Sequence, residues 1–252
     1  MYIDSHAHIT HENFDADRDE VINRAIENKI EKIINVSYDL DTMMDTLKIV
    51  EQYDSIYGTL GIHPHHADDF DDSIQNYLIN YLKYRKIIAL GEIGLDYFKC
   101  YSKKENQISA FEKQLEIAKK FEKPVVIHCR DAYDETLSIL KNSNIKHGVM
   151  HCFSGNEKQA EDFLELGLHI SFTGTVTWRK SDVLPVKIVP KDRLLLETDC
   201  PYMTPSPNRG KRNEPAFIIH TAQKIADIRN ESIEELSSNC FQNTLTLFRG
   251  LD

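Results

Sequence analysis

Eight short apolar runs, each followed by a stretch with apolar residues three and four apart, fill this chain almost from end to end. The runs begin near Tyr2, Lys32, Ile56, Ile87, Val125, Gly148, Leu168 and Leu194. Among them "IIAL", "PVVIH" and "RLLLETD" are continuously apolar rather than alternating, the pattern of a parallel strand buried on both faces. The stretches between, such as "DADRDEVINRAIENK" and "KKENQISAFEKQLEIAKKFEK", have the period of an amphipathic helix. A strand–helix repeat of this kind dictates a parallel sheet covered by helices, and eight repeats predict a closed (β/α)8 TIM barrel of the α/β class. From about Asn213 the pattern changes to two further helices without a strand between them. No linker, low-complexity tract or repeat divides the chain, so residues 1–252 are expected to form a single domain.

The polar residues that interrupt the apolar runs sit at their C-terminal ends. Run one ends in "DSHAH", run three in "GIHPHH", run four in "GEIGLD", run five in "VIHCRD", run six in "MHCFSG" and run eight in "ETDCPYMTP". In a barrel of this type those ends converge on the mouth where active sites are built. His6, His8, Glu92, His128, His151 and Asp199 are therefore expected to point into one volume, though they are far apart in sequence. Strand alternation turns His6 and His8 to the same side and Ala7 to the helices. By the same rule Cys129, Cys152 and Cys200 are expected to face away from the mouth as small core residues. Four imidazoles and two carboxylates suit zinc, manganese or magnesium. Six such groups exceed the need of one tetrahedral ion and fit a pair of divalent ions roughly 3.5–4 Å apart, the usual arrangement for phosphoester hydrolysis.

Composition narrows the alternatives. With 41% hydrophobic and 28% charged residues the chain has an ordinary globular balance, not that of a disordered one. No stretch approaches the ~20 apolar residues of a membrane span, and the first residues lack the order of a secretory signal. Five cysteines without a C-x-x-C point to free thiols and a cytoplasmic setting. The formal charge of −10 excludes a surface coated in basic residues.

The motifs "DSHAHI", "GIHPHHA", "GEIGLDYF", "VIHCRDA", "HCFSG", "ETDCPYMTP" and "NRGKRNEP" resemble, in order, those of the TatD family of metal-dependent deoxyribonucleases. The resemblance runs from Asp4 to the "NCFQNTLTLF" near the end. It implies a TIM barrel of the metallo-dependent, amidohydrolase type with a nuclease activity that is often 3′-to-5′ exonucleolytic. It also implies that His6, His8, Glu92 and Asp199 hold one ion and Glu92, His128 and His151 the other, with Glu92 bridging. Strand four offers no lysine before Lys99, which separates the chain from amidohydrolases whose metals are bridged by a carboxylated lysine. Met150 stands where an aromatic residue is expected, on the side facing the helices.

The expected reaction is attack of a metal-activated water on a phosphodiester, with Asp199 as proton acceptor and Glu92 as the bridging carboxylate. His63 either contacts a phosphate or protonates the leaving oxygen; a solvent-facing or supporting histidine is the competing reading. His65 and His66 are expected to be more exposed and without a role. Lys99, Lys103, Lys104, Arg130, Arg179, Lys180, Arg209, Lys211 and Arg212 fall on loops at the mouth, with Tyr97, Phe98, Tyr101 and Trp178 among them. Such a rim suits single-stranded or frayed DNA, whose bases stack on aromatic faces. Arg130, Ser154 and Arg212 are the candidate substrate contacts, with helix capping as the other reading for Ser154, and for Asn213 and Glu214. No membrane and no obligate protein partner are expected. Two rivals remain open at this point: a hydrolase of a small amide, lactone or phosphoester on the same scaffold, and a non-catalytic metal or nucleic-acid binding module.

Overall fold

Valine-, isoleucine- and leucine-rich runs form the strands of the computed structural model, which describes residues 1–251. They are β1 (Tyr2–Ala7), β2 (Ile30–Val36), β3 (Ile56–Leu60), β4 (Ile87–Asp96), β5 (Val125–Arg130), β6 (Gly148–Met150), β7 (His169–Phe172) and β8 (Leu194–Leu196). The amphipathic stretches form α1 (Arg18–Glu27), α2 (Leu40–Gln52), α3 (Asp72–Tyr81), α4 (Lys104–Lys120), α5 (Tyr133–Ser143), α6 (Glu157–Glu165) and α7 (Val183–Ile188). Two consecutive helices, α8 (Ile218–Arg229) and α9 (Ile233–Leu247), end the chain as its pattern predicts.

The eight strands pair in sequence order and in parallel. The last seam closes beyond the end of β8. There the His8 amide donates to the Cys200 carbonyl at 2.8 Å and the Asp199 amide to the His6 carbonyl at 2.9 Å. Buried Asp4 ties the same seam, accepting from the Thr198 amide at 3.0 Å and the Thr198 hydroxyl at 2.6 Å. The fold is the TIM barrel that the repeat predicts.

Two apolar clusters define inside and outside. Ile3, Ile34, Val36, Tyr57, Ile88, Val126, Val149 and Leu195 cluster with Leu247, Phe248 and Leu251, so the end of α9 plugs the base of the barrel. Buried side chains of α1 to α8 belong to the other cluster, between sheet and helices. This sorting fixes the direction of the polar strand ends. In β5, Val125 and Ile127 face the helices and Val126 the interior, which sends His128 inward. In β6, Val149 is inside and Met150 outside, so His151 points in.

Strict alternation fails where strands slip in register, and the slips in β1 and β4 bear on the metal centre. Ile3 is inside while Ala7 is outside, four residues on, because the pairing of β1 slips between Asp4 and Ala7. Leu90 and Ile93 both face the helices because β4 slips between them. Each slip moves the following residues by one position, which turns His6 and Glu92 into the barrel.

At the opposite end of the barrel, β7 opens with His169, 6% exposed. Burial, with a smaller contribution from the Arg193 charge, lowers its pKa from 6.5 to about 4. The unfolded chain binds this proton near pH 6.5 and the folded chain near pH 4, so stability is lost as pH falls between those values, by about 3 kcal/mol. Urea midpoints at pH 7.5 and pH 4.5 should therefore differ by less in His169→Leu than in the wild type.

Candidate metal centre

Glu92 stands at the centre of the mouth, 3% exposed. Its Oε1 lies 2.8 Å from His151 Nε2, 2.9 Å from His128 Nδ1 and 3.4 Å from His63 Nε2. Its Oε2 lies 3.4 Å from His6 Nε2 and 3.9 Å from His8 Nε2. Asp199 Oδ1 completes the group at 3.4 Å from His8 and 3.8 Å from His6. The six residues expected to converge do so, and His63 joins them.

The donor set fits divalent cations. Among the described residues, ligand atoms within 4.8 Å of one another are offered by His6, His8 and Glu92, by His6, His151 and Asp199, and by His63, Glu92 and His128. The Nε2 atoms of His6 and His8 face each other at 3.3 Å, a spacing suited to two lone pairs sharing a cation. Imidazole nitrogens with carboxylate oxygens are the ligands of zinc and manganese, and carboxylates those of magnesium.

The outward nitrogens of the imidazoles are held in turn. His8 Nδ1 donates to the Val36 carbonyl at 2.8 Å. His128 Nε2 donates to Asp96 Oδ2 at 3.1 Å. Glu197 Oε1 lies 3.6 Å from His151 Nδ1 and accepts from the Cys152 amide at 2.6 Å. Such outer contacts fix ring orientation and tautomer and raise the basicity of the inward nitrogen. His6 Nδ1 and His151 Nδ1 have no hydrogen-bond partner among the described residues, so Glu197 acts on His151 by charge alone.

Backbone conformation at the strand ends serves the same geometry. Asp199 and Cys152 have φ of 54° and 45°, left-handed values that cost a non-glycine residue roughly 1 kcal/mol or more. A side chain at Gly94 would place its Cβ 1.9 Å from the His128 carbonyl oxygen. Glycine there lets β4 approach β5 closely enough for Glu92 to reach His128.

Burial disfavours every charge in this cluster and prevails at His6 and His63, lowering the pKa of both imidazoles; elsewhere the attraction between opposite charges wins. Burial alone would lower the pKa values of His8, His128 and His151, but the carboxylates raise all three. Burial alone would raise Glu92 and Asp199, but the surrounding imidazoles hold both below the usual carboxylate range. Without metal, the carboxylates thus favour protonation of His8, His128 and His151.

A cavity of about 590 Å3 lies over this floor. His63, Arg130 and Ser154 line it, together with Lys99, Arg179, His65, Tyr38 and Tyr202. Ser154 hydrogen-bonds the Tyr133 hydroxyl at 3.1 Å and does not cap a helix, since Asn156 caps α6. Arg212 is not in the wall: both terminal nitrogens bind Asp17 at 2.7 Å. The Asp17 carboxylate engages both arms of the guanidinium fork. Arg179 takes the place expected for Arg212, held by buried Asp182 at 3.4 Å. Asn213 is not an N-cap either; its amide donates to the Thr198 and Tyr202 carbonyls at 2.9 and 2.6 Å, and Glu214 pairs with Arg24 at 2.7 Å.

Cys200 is buried among the core side chains that face the helices, as alternation predicts. Cys129 bonds Thr136 of α5 at 3.3 Å, yet it and Cys152 also reach the cavity wall. Three residues escaped the sequence reading, among them His66, which lines the cavity beside Tyr38. His65 lines the cavity rather than pointing into solvent, and Asp96 is wholly buried beside it. Asp96 follows Glu92 by four residues in one strand, an even spacing that assigns both to the same face.

Among known proteins, a family model described as TatD related DNase matches residues 3–249. The metal-dependent hydrolase YabD of Bacillus subtilis strain 168 is 39% identical over 253 residues, covering 99% of both chains. A protein of Erwinia billingiae named 3′-5′ ssDNA/RNA exonuclease TatD is 35% identical, covering 96% of each. The structure of the TatD homologue YJJV of Escherichia coli K12 superposes with a TM-score of 0.93 at 33% identity, over 98% of this chain and 97% of that one.

Divalent ions must displace the histidine protons to bind. Zinc or manganese added to metal-free protein near pH 6.5 is expected to release protons, recorded as acidification of a weakly buffered solution, with affinity weakening as pH falls. Glu92→Ala should abolish both the binding and the release.

Proposed function

From the premise that the chain belongs to the TatD family of metal-dependent hydrolases, we propose that it is a deoxyribonuclease that shortens single-stranded or frayed DNA from the 3′ end. The observation that carries this reading is the cavity itself: a carboxylate–imidazole floor with Lys99, Arg130 and Arg179 in its wall. Its volume of about 590 Å3 is in the range of sites for one small ligand, roughly 300–1,000 Å3. That size suits the terminal nucleotide of a strand better than a base-paired duplex.

In this reading His6, His8, Glu92 and Asp199 hold one divalent ion, and Glu92, His128 and His151 a second. Bound ions supply Lewis acidity at the phosphoryl oxygens and make a water molecule easier to deprotonate. Asp199, ionised at neutral pH because His8 and His6 outweigh its burial, accepts the proton of the attacking water. His63 acts as a neutral donor. Burial lowers its pKa to about 3, and its Nδ1 accepts from the His65 amide at 3.0 Å, which leaves the proton on Nε2, directed inward. It therefore hydrogen-bonds a phosphate or leaving oxygen without carrying a full charge.

The rim supports strand binding. The Arg130 guanidinium stacks 3.8 Å over the Phe98 ring, and Arg209 stacks 4.2 Å over Trp178. Paired cations and aromatic faces suit a backbone phosphate beside an unstacked base. Five unpaired thiols suit work in the cytoplasm.

The test is end-labelled single-stranded DNA incubated with metal-stripped protein, to which magnesium, manganese or zinc is added separately. Stepwise shortening that requires an ion and is lost in Glu92→Ala is expected. Metal-loaded protein that leaves every strand intact would overturn the reading in favour of a small amide, lactone or phosphoester. Metal-independent binding without turnover on any of these would indicate a binding module.

The wall residues predict a second pattern. Arg179→Ala and Arg130→Ala should each raise KM about tenfold, the loss of about 1.4 kcal/mol of charge-assisted contact. Arg212→Ala should leave KM unchanged and lower stability instead. With three wall cations, apparent affinity should fall with salt at a log–log slope of about −2.

A further inference from the structure

Behind His128, and outside the ligand set, Asp96 ends β4 with no solvent exposure. One of its oxygens, Oδ2, accepts from two imidazoles at once, His128 Nε2 at 3.1 Å and His65 Nε2 at 3.0 Å. The other, Oδ1, accepts from the Lys99 amide at 2.7 Å. Its main chain is clamped as well, since buried Gln107 accepts from the Asp96 amide at 2.9 Å and donates to the Asp96 carbonyl at 3.2 Å. Held at both ends, this carboxylate has one orientation.

That orientation has a chemical consequence for His128. A neutral imidazole carries one N–H. Donation from Nε2 to Asp96 leaves the lone pair on Nδ1, the atom 2.9 Å from Glu92 Oε1 and 3.4 Å from His151 Nε2. His65, in the cavity wall, shares the same oxygen, so one carboxylate joins the wall to the metal centre.

We propose that Asp96 is a positioning residue: by holding His128 Nε2–H it commits His128 Nδ1 to the divalent ion, with His65 as a second donor to the same carboxylate. The proposal rests on the place of His128 in the metal centre and not on the identity of the substrate.

The experiment measures cobalt or zinc affinity by competition with a chelator, beside thermal unfolding of the metal-free proteins. Asp96→Asn keeps the side-chain shape but has a single acceptor oxygen. It should weaken metal binding by about 10–100-fold and shift the cobalt absorption spectrum, with the circular dichroism of the wild type. His65→Asn leaves the carboxylate in place and should bind metal as the wild type does. Wild-type affinity in Asp96→Asn would overturn the proposal, as would an equal loss in His65→Asn. A second measurement needs no variant: nitrogen-15 shifts of zinc-loaded wild-type protein should show His128 bound through Nδ1 with its proton on Nε2. Binding through Nε2 overturns the proposal even if Asp96→Asn does not fold. Because none of these readings uses DNA, a protein that fails to shorten DNA but shows them would lose the substrate assignment and keep this one.

Discussion

A buried carboxylate surrounded by imidazoles governs this molecule. Taking Glu92 out of water carries a large penalty that only opposite charges and hydrogen-bond donors nearby can offset. The barrel supplies them from five strand ends: His6 in β1 and His8 just after it, His63 after β3, His128 in β5, His151 after β6 and Asp199 beyond β8. Each contact joins segments far apart in sequence, so the cluster exists only when all eight strands are in register. The same attraction that stabilises the metal-free cluster prepares it for cations, because a divalent ion can take the place of a proton between an inward imidazole nitrogen and a carboxylate.

Support for the cluster comes from outside it. The Val36 carbonyl, Asp96 and Glu197 each face the outward nitrogen of one imidazole. Glu197 is itself fixed by the Ser171 hydroxyl at 2.6 Å, and Asp96 by Gln107 of α4. The functional layer is thus anchored to neighbouring strands and to a helix, and the register slips in β1 and β4 aim it. The apolar plug at the base of the barrel, from Leu247 to Leu251, lies on the opposite side and bears on stability rather than on chemistry.

A chain of charge −10 presents cations where a polyanion would approach. Lys99, Arg130 and Arg179 line the cavity, while Arg24 and Arg212 are spent on Glu214 and Asp17 and knit α1 to the segment before α8. Divalent ions held by the carboxylate–imidazole floor would add further positive charge there. Net charge therefore describes the surface at large and not the arrangement of charges at the mouth.

Much of this was legible in the sequence, for identifiable reasons. Continuous apolar runs alternating with helical periods determine a parallel sheet covered by helices on both faces, and eight such repeats point to its closure into a barrel. Polar residues at the run ends then have one place to go, which made His6, His8, Glu92, His128, His151 and Asp199 readable together. Tertiary structure alone decided the rest. Strand parity could not foresee the slips in β1 and β4, since register depends on partner strands. Arg212 and Arg179 look alike in a loop, and only the nearness of Asp17 to one and Asp182 to the other separates structural from cavity-lining arginine. His65 and Asp96 met only when β3 and β4 were laid side by side, because a hydrogen bond between residues 31 apart is a property of packing, not of spacing.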